Sequence, residues 1–378
     1  MASVDVVCGS YEGGVIGYSL RLADLAEPHA EGLPVAPVFA EAEHSGCVRC
    51  VACGEGLMAT GGTDHAIAVY NLRRRRSHGK LLQETGGAAI HCLAFHGQTH
   101  LVAGGADGDV SIWRTSDWEC LLRVKGHKAA VLDVAIHPSG RVALSVGADA
   151  KLMLWNLTTG KCNYTLALQQ VCSLVRWSET GEEYLLASRG AVQVCDLRSG
   201  EELHTLPHDD GPPLGVQYAS ASLVATGSEG GTLRVWDLRR RLCAVEVRQA
   251  HERRVKALAV VSGPGEGVST LVSASTDGSV KLWRLTHGAA DADEPAVTFL
   301  LTIATRCRLT CLTAVLYTPE GVDAALASGA KPGKQKMKRL GEAAATTDGA
   351  PSEPAVRKAK KKKKLHKAGG GSVSSSQP

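Results

Sequence analysis

The 378-residue chain has no run of about eighteen consecutive apolar residues, the length a helix needs to cross a bilayer. The sequence therefore predicts no spanning helix and no membrane partner. Its start, Met1-Ala2-Ser3-Val4-Asp5, lacks the basic n-region of a secretory signal, which points to a cytosolic or nuclear chain. Also missing are a Walker-type phosphate loop, a Gly-x-Ser-x-Gly elbow, a His-Glu-x-x-His helix and a kinase signature. No catalytic residue, cofactor or small-molecule substrate is assigned. Twelve cysteines are present, and a reducing compartment keeps such residues as thiols. Cys47-x2-Cys50-x2-Cys53 has the spacing of three iron–sulfur ligands. The segment reads as a strand, however, so Cys50 points away from the other two, and no fourth cysteine follows at matching spacing. His204-x3-His208 lacks a thiolate companion as well. No metal site is expected.

What the chain does contain is one pattern written six times. A run of small residues leads to a turn with an acid and often a glycine, then an alternating apolar strand, then an anchor residue. The anchors are Tyr70, Trp113, Trp155, Cys195, Trp236 and Trp283, spaced by 43, 42, 40, 41 and 47 residues. That period and anchor are the signature of WD repeats, each a four-stranded unit that cannot bury its faces alone. In the third full unit, 131–136 alternates as a half-buried strand does, and turns at 137–140, 148–151 and 158–161 separate three more strands.

The two ends supply a seventh unit. Residues 6–18 carry the second- and third-strand pattern, with 35–40 a candidate fourth, and no first strand precedes them. Residues 308–315 look like a lone first strand. Left apart, both would expose unpaired backbone; joined, they close a ring. The expected fold is thus all-β: a seven-bladed WD-repeat β-propeller over 1–327 with a composite closing blade, plus a disordered basic C-terminal tail over 328–378. Repeats are expected near 4–43, 44–85, 86–126, 127–168, 169–208, 209–250 and 251–305, with the closing strand at 308–317.

Each unit has a polar constellation with a structural purpose. Six residues before the anchor stand Asp64, Asp107, Asp149 and Asp277; ten before it stand Thr60, Ala103, Ser145 and Ser273. His44, His127 and His251 open repeats. In blades of this class, Trp, Ser/Thr, His and Asp form a hydrogen-bonded chain, and such a buried network is worth keeping when every member is satisfied. The expected members are His44, Thr60, Asp64, Asp107, Trp113, His127, Ser145, Asp149, Trp155, His251, Ser273, Asp277 and Trp283. The fourth unit has Leu185, Arg189 and Cys195 at these places, so it is expected to be the loosest blade.

The formal net charge of +4 hides an asymmetry. Residues 328–378 carry 13 basic and 3 acidic side chains, a charge of +10, which leaves −6 on the rest. The tail has no Phe, Trp or Tyr and cannot bury enough apolar surface to fold. Its centre, with Arg357, Lys358, Lys360, Lys361, Lys362, Lys363, Lys364 and Lys367, reads as a nuclear or nucleolar address. It is also a candidate for loose, salt-sensitive contact with RNA phosphates. Arg73, Arg74, Arg75 and Arg76, and Arg239, Arg240 and Arg241, follow third strands and fall in turns on one face. They are a candidate basic surface for ribosomal RNA or an acidic protein; the alternative is two solvated turns on separate blades.

A closer resemblance extends over roughly residues 4–317. Trp118-Glu119-Cys120-Leu121, His127-Lys128, the stretch 136–147, Ala250-His251-Glu252-Arg253-Arg254-Val255-Lys256, the stretch 272–278 and Arg308-Leu309-Thr310-Cys311-Leu312 occur in family order. In these residues the chain resembles the family of p21-activated-kinase-interacting WD-repeat proteins, the Mak-type ribosome assembly factors. The resemblance implies a non-enzymatic scaffold in nucleolar assembly of the large ribosomal subunit, with pre-ribosomal assembly proteins as partners. It also implies negative regulation of p21-activated kinase through binding of the kinase regulatory region.

Overall fold

The computed structural model describes residues 2–25, 35–82, 87–263, 267–287 and 294–317. The lysine-rich tail and its address residues lie outside the described residues. Apart from one 3-10 turn at Leu22–Leu25, the described secondary structure is all strand.

Seven antiparallel sheets of four strands each form the ring. Blade 1 is built from Leu309–Tyr317, Ser3–Ser10, Val15–Arg21 and Phe39–Glu41, taken from the inside out. Blades 2 to 7 follow in chain order, with innermost strands Val48–Cys53, Ile90–His96, Val131–Ile136, Leu174–Trp177, Pro213–Tyr218 and Val255–Ser262. Each of these is paired outward with three consecutive strands. Neighbouring blades meet mainly along their innermost strands, and blade 7 meets blade 1 as blade 1 meets blade 2.

Closure is thus made by the two ends of the folded chain, as the orphan strands predict. Ser3 stands opposite Tyr317, Cys8 opposite Leu312, and Ser10 opposite Leu309. The seam is apolar. Val4, Val6, Cys8 and Leu309 pack with Leu282, Leu300, Leu301 and Ile303 of blade 7 in one buried cluster. The fourth strand of blade 1 is only three residues long, shorter than the 35–40 segment suggests.

The repeated anchor has a geometric meaning. In all six repeats the register between third and fourth strands slips at the anchor, as at Leu154/Trp155 and Leu282/Trp283. The extra fourth-strand residue bends the strand and turns the wide ring into the space between blades. Trp155 is 3% exposed there. Two glycines show how one blade seats the next. Gly13 and Gly108 lie at φ 86° and 87°, and a Cβ on them would fall 2.2 and 2.3 Å from the carbonyl oxygens of His44 and His127. Those histidines open the following blades, so only glycine allows the turn to press against them.

Candidate partner-docking faces of the ring

Antiparallel blades place the second-to-third-strand turns and the connections between blades on one face. The remaining turns lie on the other. The polar constellations sit under the first face. In blade 4, Trp155 Nε1 donates to Ser145 Oγ at 2.8 Å, so the single Ser145 hydrogen is free to go to His127 Nε2 at 2.7 Å. His127 Nδ1 then carries the proton and donates to Asp149 at 2.8 Å. Asp149 also accepts from the Lys128 N–H at 2.9 Å. Burial opposes its ionisation, but the Lys128 amide and the His127 ring hold it below the ordinary carboxylate range. The chain fixes the entry of blade 4, because the His127 amide is bound to Gly108 of blade 3 at 3.1 Å.

The other blades vary on this plan. Blade 2 keeps His44, Thr60 and Asp64 at 2.8 Å each, but Tyr70 has no ring N–H, so the chain ends at Thr60. In blade 7, Trp283 and His251 share Ser273 at 2.9 and 2.7 Å. Here His251 Nδ1 meets Ser279 Oγ at 2.8 Å, and Ser279 passes the contact to Asp277 at 2.6 Å. The direct His251–Asp277 approach is 3.6 Å, so the acid acts through a serine.

Two expected members do not join such a chain. With Ala103 at the hydroxyl position, Trp113 donates instead to Ser111 at 3.0 Å on its own strand. Asp107 is taken by Arg123 at 2.7 Å, which also holds Asp109. Conversely, blade 6 has a chain that the acid spacing does not show. His208 Nε2 meets Thr226 at 2.9 Å, and Trp236 donates to the same hydroxyl at 3.0 Å. Gly230 stands six residues before Trp236, the offset of Asp149 and Asp277 in their repeats, and the His208 Nδ1–H turns to the Leu206 carbonyl. Asp210 instead accepts from Ser228 and from Arg234 at 2.7 Å. The threonine ten residues before Trp236 was the available signal.

Blade 5 has no internal chain among its described residues. Its four-residue inner strand is tied sideways to blade 4. The Val175 N–H donates to Asp133 at 3.0 Å, the Arg176 guanidinium pairs with the same carboxylate, and Trp177 Nε1 donates to the Ala135 carbonyl at 3.1 Å.

Two of the buried histidines, His251 and His208, make the ring acid-sensitive. Burial lowers the His251 pKa to about 4 from an ordinary 6.5, with the Lys281 charge adding to the effect against the pull of Asp277. His208 is lowered as well, first by burial. A base whose folded pKa is depressed contributes stability that is complete above its unfolded pKa and lost as pH falls through the window to the folded one. For His251 that window runs from 6.5 down to about 4. The loss should approach roughly 3 kcal/mol at its lower end. Urea denaturation from pH 7.5 to 4.5 will show stability falling in this window. A His251→Gln variant, though weaker throughout, will lose less across it; parallel curves would exclude His251 as a cause.

The opposite face carries the arginine turns. Arg73, Arg74 and Arg75 occupy the turn before Arg76–Leu82, whereas Arg76 is the first residue of that strand and not part of the turn. All four are exposed. Arg239, Arg240 and Arg241 occupy the corresponding turn of blade 6, where Arg240 lies 3.8 Å from Asp237 and 3.6 Å from Glu294. Blades 7 and 1 separate the two turns on the shorter way round, so they sit on non-adjacent blades. Beside Arg73 and Arg75, a cavity of about 220 Å³ opens between blades 1 and 2, with Asp5, Phe39 and Tyr317 in its wall.

No group of three or more His, Cys, Asp or Glu that could hold a metal occurs among the described residues. Burial pushes the Cys53 thiol up to about 12 and those of Cys172 and Cys195 to about 11, so these are protonated fillers of the ring. No described helix is long and apolar enough to cross a membrane.

Seven four-stranded blades with tryptophan anchors and His–Ser/Thr–Asp chains define a WD-repeat β-propeller. Residues 79–114, 118–156, 200–237 and 244–284 match the WD domain, G-beta repeat family. The chain is 34% identical over 324 residues to p21-activated protein kinase-interacting protein 1-like of Xenopus laevis, covering 85% of this chain and 84% of that one. It is 30% identical over 309 residues to p21-activated protein kinase-interacting protein 1 of Homo sapiens, covering 82% and 76%. Protein MAK11 of Saccharomyces cerevisiae is 27% identical over 254 residues, covering 58% and 61%. The chain belongs to the p21-activated protein kinase-interacting protein 1 family.

Proposed function

We propose that this protein is a non-enzymatic scaffold in nucleolar assembly of the large ribosomal subunit and in pre-rRNA processing. In this reading it also restrains p21-activated kinase by occupying the kinase regulatory region. The observation that carries the reading is a closed ring of the kinase-interacting family with turns on both faces. Turns fixed by strands on either side can hold side chains in a constant geometry for a partner. The ring supplies specific contacts to pre-ribosomal assembly proteins. The lysine-rich tail supplies the nuclear and nucleolar address and a loose attraction to RNA, since lysines read phosphate charge and no base.

A second reading makes the protein primarily a kinase-inhibiting signalling adaptor. It is favoured by the names of the relatives, which specify interaction with a p21-activated protein kinase. The two readings separate in cells depleted of the protein. Residues 1–330 fused to a generic import signal should restore large-subunit production, and the isolated tail should not. Restoration should also occur in cells lacking the kinase. Normal large-subunit levels after depletion, or rescue by the tail alone, would overturn the assembly reading and leave the adaptor reading standing.

A further inference from the structure

The innermost strands share an irregularity at their first-face end. In six of the seven blades the register to the second strand slips just after the first paired residue. The extra residues are Lys256 in blade 7, Thr310 in blade 1, Arg49 in blade 2, His91 in blade 3, Leu132 in blade 4 and Leu214 in blade 6. A bulged residue is released from the ladder and its side chain re-aimed. In each case the preceding residue is buried and the bulged one is accessible to solvent. The innermost strands line the axis, so these six residues ring the mouth of the central channel.

The ring of side chains is not uniform. Cations occupy one side of it, on blades 7 and 2, and the two leucines lie on blades 4 and 6. Thr310 is turned into the wall, donating to the Val48 carbonyl at 2.5 Å and so bracing blade 1 against blade 2. Arg49 Nη2 approaches His91 Nε2 at 3.5 Å. Burial, and then the Arg49 charge, lower the His91 pKa, which favours the neutral ring. Just outside, Arg308 lies over the Tyr11 ring at 5.1 Å, and Arg254 reaches Glu229 at 3.5 Å. Arg49, Lys256 and Arg308 have no carboxylate within ion-pair distance among the described residues. Burial, and then the charges of Arg49 and Arg254, lower the Lys256 pKa. Lys256 is half-buried beside other cations and Arg49 stands exposed next to it, so the charge of this pair is under-compensated until an anion arrives.

We infer that this mouth is a docking site for an extended acidic peptide, whose carboxylates meet Arg49 and Lys256 while its apolar side chains rest on Leu132 and Leu214. A nucleic acid fits less well. Its longer run of phosphates would pass the leucines and extend beyond the mouth across Glu12, Glu43 and Glu252, which lie in connections on this face. A short peptide brings two or three charges to one half of a small ring and apolar groups to the other. The inference goes beyond the proposed function and stands whichever partner carries the segment.

The test uses the full chain and a fluorescein-labelled nonapeptide of alternating glutamate and leucine, read by fluorescence anisotropy. Replacing both Arg49→Gln and Lys256→Gln should weaken binding about tenfold, as loss of two charged contacts does. The melting temperature should hold or rise, because two mutually repelling cations are gone. Leu214→Gln, on blade 6 beside the blade that carries Lys256, should weaken binding about threefold. Changing the five tail lysines 360–364 to alanine should alter it less than twofold. Unchanged affinity in the double variant, or binding that resides in the tail, would overturn the inference. So would displacement of the peptide by an oligouridylate of equal charge whose own binding is abolished by the same pair of substitutions. None of these outcomes bears on large-subunit production, so failure here and failure of the scaffold reading are distinguishable.

Discussion

A chain ending at residue 305 will lose its cooperative fold, whereas a chain ending at 330 will melt within about 2 °C of the full protein. The first truncation removes Leu309–Tyr317, the inner strand of blade 1. Its pairing partner Ser3–Ser10 then becomes an open edge. Leu309, fully buried, and Leu312, 8% exposed, leave the cluster that joins blades 7 and 1, and Cys311 leaves the one that joins blades 1 and 2. Each buried leucine is worth about 1.5–3 kcal/mol, and the ladder and seam contacts add to that. The sum is comparable with the roughly 5–15 kcal/mol that hold a folded protein. The short chain is expected to aggregate, so Leu309→Ala in the full chain serves as a second arm, with an expected loss of about 3–4 kcal/mol in urea. Equal melting temperatures for the two truncations, or a cost below about 1 kcal/mol for Leu309→Ala, would show that the seam does not hold the ring.

The next largest effect is expected inside blade 4. Ser145→Ala should cost about 3 kcal/mol, because it strands a buried donor, Trp155 Nε1, and a buried acceptor, His127 Nε2, at once. The bulk removed is a single hydroxyl, so packing contributes little. His127→Ala should cost as much or more, since Ser145 and Asp149 both lose a partner and a cavity opens. Blade 5 is the natural comparison. With Leu185 at the serine position and no histidine chain, its amides should exchange with solvent faster than those of blade 4. Native-state hydrogen exchange checks this. In Ser145→Ala, protection in blade 4 should fall to the level of blade 5. Slower exchange in blade 5 than in intact blade 4 would mean that the ties of Asp133 to Val175 and Arg176 substitute fully for the missing network.

The propeller was legible because its cause is local and repeated. Anchors about 42 residues apart, small residues ahead of them and Asp-Gly turns are each read within a few positions. Closure followed from two incomplete units that can only complete each other. The networks were legible where serine or threonine, acid and histidine kept fixed offsets, as with His127, Ser145, Asp149 and Trp155. They were misjudged where one member was assumed from another. Asp107 has the right offset, but Ala103 provides no hydroxyl, and an arginine claims the acid. Asp210 falls at a different offset, so the His208–Thr226–Trp236 chain was missed although its threonine was in place.

The sequence by itself determined the number of blades, their order and the need to close the ring with both ends. These depend on period and on unpaired edges, which are properties of segments. Only the tertiary structure decided what the channel mouth presents. A bulge is a matter of register between strands, and no spacing rule announces which residue is squeezed out. Arg49 and Lys256, distant in the chain, share a mouth because blade 1, made from the two ends of the ring, brings blades 7 and 2 to either side of it. Charge that is scattered along the sequence becomes a site only when the circle is closed.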